Sequence, residues 1–372
     1  MASDAYFMQR AIHLARKAEG KTSPNPLVGC VIVRNGRVVA EGWHKKCGAD
    51  HAEVMALKKA GASARGATLY VTLEPCSHWG RTPPCVEAIL NAGISRVVAA
   101  MRDPNPVNNG RSFRRFKRAR VEVLVGVCEE EARALNPGFL KVMTAGLPFV
   151  VAKSAQSLDG RTVTPRGRSP WITAPSTRDW ARKKRRLFDA ILVGIDTVIE
   201  DDPRLHAPGK RIKKVIVDSR LRIPVRARMF EETPPEDIIL ATTSRAPLAK
   251  VELLKEKGLR VLVCPQRAGG RVRLRFLFKE LAKSGIASIL IEGGSRIIAG
   301  ALEEGLVDRL HLYLSPRVIG KGRSARRPEG SHVRRMARDL RFEIRDIHPL
   351  QPDVFIELCS QGSLKPQVRF SR

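Results

Sequence analysis

The sequence predicts two successive layered α/β domains, and three features of the chain point there. Its 372 residues, 43% of them hydrophobic, exceed the roughly 150 residues of one ordinary domain and can fill two cores. Short apolar runs of strand character alternate with stretches of helical spacing throughout, the pattern of helices layered on a sheet. Between the halves, Gly146-Leu147-Pro148 interrupts the pattern and places the domains at 1–146 and 147–372.

In the first half, Phe7, Ala11, Leu14 and Ala15 share one face of a helix spanning Ala5 to Glu19. The run Lys21-Thr22-Ser23-Pro24-Asn25-Pro26 breaks it. Strands Val28 to Arg34 and Arg37 to Trp43 follow, joined at Asn35-Gly36, a strong two-residue hairpin signal. A loop through His44 and Gly48 leads to His51, at the start of a helix from Ala52 to Lys59. The strand Thr68 to Leu73 delivers Glu74-Pro75-Cys76, and a Gly- and Pro-rich loop separates Cys76 from Cys85 and the helix Val86 to Ala92. A strand at Arg96 to Ala100, the run Asp103-Pro104-Asn105-Pro106, a basic helix at Ser112 to Arg118 and a strand at Val121 to Val125 complete this half.

The chemistry concentrates between His51 and Cys85. A helix-start imidazole and two thiols supply three ligands of a catalytic zinc site, which keeps a fourth position open for water. Zinc brings the pKa of its water near 7 and so supplies a nucleophile at neutral pH. Glu53 is placed to take the water's proton and pass it to departing ammonia. The order His-x-Glu, then Pro-Cys and a second Cys, is the signature of nucleobase deaminases. Here the second Cys stands nine positions after the first, with His78, Arg81 and Thr82-Pro83-Pro84 between. A polar, basic loop there suits a phosphorylated substrate, since arginine bonds phosphate oxygens strongly.

The 67 basic and 37 acidic residues give a net charge of +30, which raises nucleic-acid binding as a rival. Aromatics at 5% offer few stacking platforms, and the basic residues are spread along the chain, so an anionic small molecule accounts for local charge equally well. No apolar run reaches membrane-spanning length, and the N-terminal residues lack the order of a signal peptide, which reads as a soluble cytoplasmic protein. Seven Cys without an export signal argue against a disulfide framework, and Cys30, Cys47, Cys128, Cys264 and Cys359 read as packing or surface thiols.

The second half opens with a short strand at Phe149 to Lys153, then Ser157-Leu158-Asp159-Gly160-Arg161 and Trp171-Ile172-Thr173. A helix carrying Arg182 to Arg186 follows, then a buried strand at Asp189 to Gly194 and a helical turn ending at Asp201-Asp202-Pro203. Further strands are Lys214 to Asp218, Asp237 to Thr242, Arg260 to Cys264 and Ser288 to Ile291, with helices at Arg273 to Ser284 and Ile297 to Glu304. The turn Glu292-Gly293-Gly294-Ser295-Arg296 joins a strand to a helix and offers backbone N–H groups to a phosphate. The G-x-G-x-x-G dinucleotide fingerprint is absent.

Ser23-Pro24-Asn25-Pro26-Leu27-Val28-Gly29, His51-Ala52-Glu53, the stretch Glu74 to Cys85 and Asp103-Pro104-Asn105-Pro106 together resemble the deaminase half of the bifunctional riboflavin-biosynthesis deaminase/reductase family. The resemblance implies a cytidine-deaminase-like three-layer domain holding one zinc ion per chain on His51, Cys76 and Cys85, with Glu53 catalytic. It also implies a 2,5-diamino-6-ribosylamino-pyrimidinone 5'-phosphate substrate, deaminated at C2 and lined by Asn25, His44, His78, Arg81 and Asn105. Ser112 stands where the family usually has glycine.

Lys153, the Ser157 to Arg161 run, Trp171-Ile172-Thr173, Asp189 to Gly194, Thr197, Asp201-Asp202-Pro203, Glu292-Gly293-Gly294 and Leu306-Val307-Asp308 resemble the reductase half of the same family. That implies a dihydrofolate-reductase-like domain that uses NADPH to convert the ribosyl group to ribityl. By position, Ala155, Trp171, Thr197, Asp201 and Gly294, Ser295, Arg296, Ile297, Ile298, Ala299 and Gly300 face the nucleotide. Ser169, Arg185, Leu205 and Glu292 face the substrate. Arg168, Arg182 and Pro208 depart from the family pattern, with Lys210 or Arg211 the candidates to replace a phosphate-binding charge lost at Pro208. Two alternatives stay open: an active deaminase with a degenerate reductase domain, and a basic RNA-binding or RNA-editing deaminase. The phosphorylated pyrimidine is the expected partner, nucleic acid and membrane are not, and the assembly is read as a homo-oligomer.

Overall fold

Ser3 starts the first helix by accepting the Tyr6 N–H on its hydroxyl at 3.3 Å, and α1 (Asp4–Arg16) follows. The computed structural model describes residues 2–80, 83–164, 169, 171–320 and 340–360. Within it the chain forms two units that part between Gly146 and Leu147.

In the first unit, β1 (Gly29–Arg34) and β2 (Arg37–Trp43) form a hairpin through Asn35 and Gly36, whose φ values of 51° and 73° are those of a tight type I′ turn. Then come α2 (Ala52–Ala60), β3 (Thr68–Val71), α3 (Cys85–Asn91), β4 (Arg96–Ala99), α4 (Arg111–Arg118) and β5 (Glu122–Val125). The strands align as β2-β1-β3-β4-β5, antiparallel up to β3 and parallel beyond it. Ala52, Ala56, Val86, Ile89, Phe113 and Phe116 bring α2, α3 and α4 onto one face. Phe7, Met8, Ala11 and Ile12 seal the other with α1. Leu135 to Phe139, which the sequence reads as the start of the connection between the halves, lies within two helices, α5 (Glu129–Leu135) and α6 (Pro137–Ala145). They bury Ala132 and Leu140 in the α1 layer. Asn136 between them is clamped to Leu27, whose N–H it accepts at 2.7 Å and whose carbonyl it donates to at 2.9 Å.

The second unit runs β6 (Phe149–Ser157), α7 (Pro175–Lys184), β7 (Ala190–Gly194), α8 (Ile195–Asp201), β8 (Lys213–Val217), α9 (Arg228–Glu232), β9 (Ile238–Thr242), α10 (Leu248–Glu256) and β10 (Arg260–Val263). It continues through β11 (Gln266–Arg267), β12 (Arg271–Val272), α11 (Leu274–Lys283), β13 (Ser288–Ile291), α12 (Ser295–Glu303), β14 (Arg309–Ser315), β15 (Phe342–Leu350) and β16 (Asp353–Ser360). Nine strands form one sheet in the order β10-β9-β8-β7-β13-β6-β14-β16-β15. The strands from β10 to β14 pair in parallel and the last two antiparallel. The central runs are apolar on both sides, as parallel strands covered on both faces require.

Further features of this unit differ from the sequence reading. The first strand of this unit is nine residues long rather than a short piece, because β14 pairs with it from Val151 to Ser157. The strand β14 and the helix α10 were not expected. The tail, basic and only loosely similar to the family, contains the β15–β16 hairpin turning at Gln351-Pro352. Among the described residues, no helix is long and apolar enough to cross a membrane.

Candidate active sites

The first site forms where α2 and α3 begin beside the end of β3. His51 is the N-cap of α2, with extended backbone and no capping bond from its side chain. Cys85 is the first residue of α3, and Cys76 lies in the loop leaving β3. His51 Nδ1 is 3.0 Å from Cys85 Sγ and 3.5 Å from Cys76 Sγ, and all three ligand atoms lie within 4.8 Å of one another. Tetrahedral zinc, with bonds of about 2.1 Å to nitrogen and 2.3 Å to sulfur, spaces its ligand atoms about 3.5–3.8 Å apart. The triad fits that ion.

The electrostatics agree. The hydrogen bond from the Cys85 thiol, helped by His51 and the Cys85 N–H at 3.2 Å, holds Cys76 down to about 4 against burial. Cys85 is pushed up by Cys76 and by burial, and His51 is raised by its bond to Cys76. The pair therefore presents a thiolate where a cation would sit. Glu53, one helical step inside α2, is 3% exposed, and burial raises its carboxyl, a condition suited to accepting a proton.

Of the expected substrate residues, Asn25 and His44 are brought to the triad. Asn25 Nδ2 and His44 Nε2 are 3.1 Å apart, His44 Nδ1 meets the Asp50 carbonyl at 3.1 Å, and the His44 ring stands edge-on to His51 at 5.5 Å. Burial lowers His44, favouring its neutral form. His78 has a buried Nδ1 with no hydrogen-bond partner among the described residues. Asn105 spends its side-chain oxygen on the Val107 N–H at 3.1 Å. Arg81 lies outside the described residues.

Glu74 was noticed in the sequence only as part of a motif. Its buried carboxylate accepts from the N–H groups of Asp103, Gly110 and Ser112 at 3.1, 2.9 and 3.3 Å, and from the Ser112 hydroxyl at 2.7 Å. Ser112 thus gives the Gly110 turn a hydroxyl anchor.

The second site gathers around Glu292 at the end of β13. Arg185 Nε and one terminal nitrogen reach its two oxygens at 2.9 and 2.7 Å, while the other terminal nitrogen donates to the His206 carbonyl at 2.8 Å. Burial pushes the Glu292 carboxyl up, but Lys153, Arg185 and Arg182 outweigh it and hold the group below its ordinary value. Lys153 also lies 5.7 Å above the Tyr313 ring. After Glu292 the backbone turns through Gly293 and Gly294 at φ 122° and 77°, a conformation that favours glycine, and α12 starts without a side-chain cap. The Thr197 hydroxyl lies 3.1 Å from where a Gly293 Cβ would stand, so the turn is pressed against α8. A glycine turn opening an uncapped helix fits a nucleotide diphosphate.

The remaining reductase residues divide. Trp171 is exposed beneath the Arg178 guanidinium at 4.7 Å, and the Ser169 hydroxyl accepts its N–H at 3.3 Å. Asp201 ends α8 in an exposed position, and Ala155 lies on β6. Gly294, Ser295 and Arg296 form the open end of α12. Ile297 and Ile298 pack on the apolar core, Ala299 is buried, and Gly300 faces Leu274 and Arg267. The Leu205 side chain is buried in the core, with its backbone at φ 51°. Both candidates for the charge missing at Pro208 have partners of their own. Lys210 donates to the Phe188 carbonyl at 2.7 Å and lies 3.5 Å from Asp189, while Arg211 pairs with Glu236 and Asp237. Arg182 pairs with Asp179 at 3.2 Å, and Arg168 lies outside the described residues.

Residues 1–101 match the family described as the cytidine and deoxycytidylate deaminase zinc-binding region, and residues 148–356 match the RibD C-terminal domain. The riboflavin biosynthesis protein RibD of Aquifex aeolicus is 43% identical over 325 residues, covering 86% of this chain and 89% of that protein. RibD of Escherichia coli is 38% identical over 372 residues, covering 95% and 99%. Among solved structures, Acinetobacter baumannii RibD superimposes with a TM-score of 0.84 at 39% identity, covering 96% of this chain and 99% of that one. A deaminase/reductase from Thermotoga maritima gives 0.82 at 33% identity with the same coverage. The two units are thus a cytidine-deaminase-like domain and a dihydrofolate-reductase-like domain, and zinc and NADPH are their cofactors. The chain belongs to the RibD family of riboflavin biosynthesis enzymes, which join a zinc-dependent deaminase to a reductase in one polypeptide.

Proposed function

We propose that residues 1–146 remove the C2 amine of 2,5-diamino-6-ribosylamino-pyrimidinone 5'-phosphate by hydrolysis, and that residues 147–372 then reduce the ribosyl group to ribityl. The observation that carries this is the triad of His51, Cys76 and Cys85 at zinc spacing with Glu53 buried beside it. Zinc, when held there, supplies an activated water. Glu53 is placed to take a proton from an attacking water as the water's oxygen bonds C2 and to return a proton to the amine nitrogen, so that the C–N bond would break and ammonia leave. Asn25, His44, His78, Arg81 and Asn105 orient the ring and ribose phosphate.

In the second unit, NADPH, when bound, would supply the hydride that C1' of the ring-opened sugar needs. The Gly293-Gly294 turn and the start of α12, with Ala155, Trp171, Thr197 and Asp201, hold the nucleotide. Glu292 fixes the Arg185 guanidinium in one plane, and its remaining N–H groups, with Ser169, meet the substrate. Leu205 contributes through its backbone, since its side chain belongs to the core.

The test is a coupled assay on the zinc-loaded chain. Ammonia release followed by substrate-dependent NADPH oxidation is expected. No ammonia removes the first half of the reading, and ammonia without NADPH oxidation removes the second. The protein is further proposed to act in the cytoplasm as a homo-oligomer, supported by the exposed Ile344 and Ile347 on the edge strand β15. A monomer in sedimentation equilibrium would contradict the assembly.

A further inference from the structure

Asn108 lies beyond the motif residues of the deaminase site, and it is completely buried. Its side-chain oxygen accepts the Ser77 N–H at 2.9 Å and the Ser77 hydroxyl at 2.7 Å. Its side-chain nitrogen donates to the Pro75 carbonyl and to Asp103 Oδ2, both at 3.1 Å. A backbone N–H can only donate and a carbonyl can only accept, so Ser77 and Pro75 fix which way the amide faces. All four bonds available to a primary amide are used.

The positions of the partners give this clamp its meaning. Pro75 and Ser77 flank Cys76 on either side. Asp103 accepts the Asn105 N–H on its other oxygen at 2.9 Å, so the same amide reaches the loop that carries Asn105. The Asn108 N–H itself donates to the Asn105 carbonyl at 2.9 Å. One side chain thereby joins the backbone around a metal ligand to the loop facing the substrate. No other residue type of that size offers two acceptor and two donor sites in one plane: Asp lacks the donors and Leu lacks both.

We propose that Asn108 is a positioning residue of the deaminase, holding the Cys76 thiolate and the Asn105 loop in mutual register. The proposal rests on the assignment of Cys76 as a zinc ligand. Residues that orient metal ligands from behind change metal affinity or activity by about 10–100-fold when replaced.

The test uses the full zinc-loaded chain and the variants Asn108→Asp, Asn108→Leu and Ser77→Ala. Zinc release to a chromogenic chelator is expected to quicken on the order of 10-fold in the Asn108 variants. Their kcat/KM for ammonia release is expected to fall about 10–100-fold with kcat carrying much of the loss, while NADPH oxidation on supplied deaminated intermediate stays at the wild-type rate. Ser77→Ala removes one donor, keeps the fold, and is expected to lower ammonia release roughly 3-fold or more, consistent with one hydrogen bond. Folded Asn108 variants with wild-type zinc release and ammonia release overturn the proposal. If those variants do not fold, wild-type values of both in Ser77→Ala overturn it. Faster zinc release in a protein whose wild type frees no ammonia would sink the deaminase reading and leave the role of Asn108 standing.

Discussion

Arg185 and Glu292 face each other as a two-pronged ion pair, at 2.9 and 2.7 Å, with side chains only 16% and 6% exposed. Two charges so far from water are stable only while each answers the other. Arg185→Met should therefore cost about 3–5 kcal/mol in the second unit by leaving Glu292 uncompensated. Arg185→Lys keeps the charge but loses the planar fork. It should retain most of the stability and lose most NADPH oxidation, measured by thermal unfolding alongside the reductase assay.

Removing either thiol should empty the first site. Cys76→Ala and Cys85→Ala are expected to purify with little zinc by elemental analysis. Undiminished zinc in either would contradict the ligand set. Glu53→Gln should keep its zinc and lose ammonia release by about 10²–10⁴-fold, the ordinary contribution of a general acid–base group.

Gly42 permits α2 to lie directly on β2. A Cβ there would collide with the Ala52 carbonyl oxygen and stand 2.7 Å from the Ala56 nitrogen and 3.1 Å from the Met55 Cβ. Gly42→Ala should push the helix that begins beside His51 away from the sheet. A loss of about 1–3 kcal/mol in the first unit is expected. Ammonia release should fall by up to about 10²-fold, with NADPH oxidation on deaminated intermediate unchanged.

Glu357 on β16 is faced by Arg309 at 3.2 Å and His311 at 3.2 Å from β14, and by Arg345 at 3.2 Å from β15. Burial pushes its carboxyl up, yet His311, Arg309 and Arg345 outweigh burial and bring it from 4.5 down to about 2. A depressed carboxyl stabilises the folded state above its unfolded value, and that stability drains away as pH falls through the folded value. The contribution, about 3 kcal/mol at neutral pH, should disappear between about pH 4.5 and pH 2. Urea midpoints of the second unit should fall with acid in the wild type over that window and change much less in Glu357→Gln.

The C-terminal strands show why part of the fold escaped notice. In β14 the leucines Leu310, Leu312 and Leu314 alternate as in any half-buried strand, but the more buried face carries Arg309's neighbours His311 and Tyr313, which pack on Phe355. A polar and an aromatic side chain do not read as a core stripe until Glu357 and Phe355 arrive opposite them from β16. The helices α5 and α6 were hidden similarly: each is short, and their docking depends on Asn136 reaching Leu27, far away along the chain.

By itself the sequence determined what depends on neighbours along the chain: the Asn35-Gly36 hairpin, the apolar runs of the parallel strands, and His51, Glu53, Cys76 and Cys85 at the ends of predictable elements. Those features are local because turn conformations, strand alternation and helix starts are set by a few adjacent residues. The tertiary structure alone decided the strand order of the nine-stranded sheet, the partners of Lys210 and Arg211, the burial of Leu205, and the clamp of Asn108 across Pro75, Ser77 and Asp103. A buried amide or cation must satisfy its hydrogen bonds with whatever groups folding brings beside it, and spacing along the chain does not record which those are.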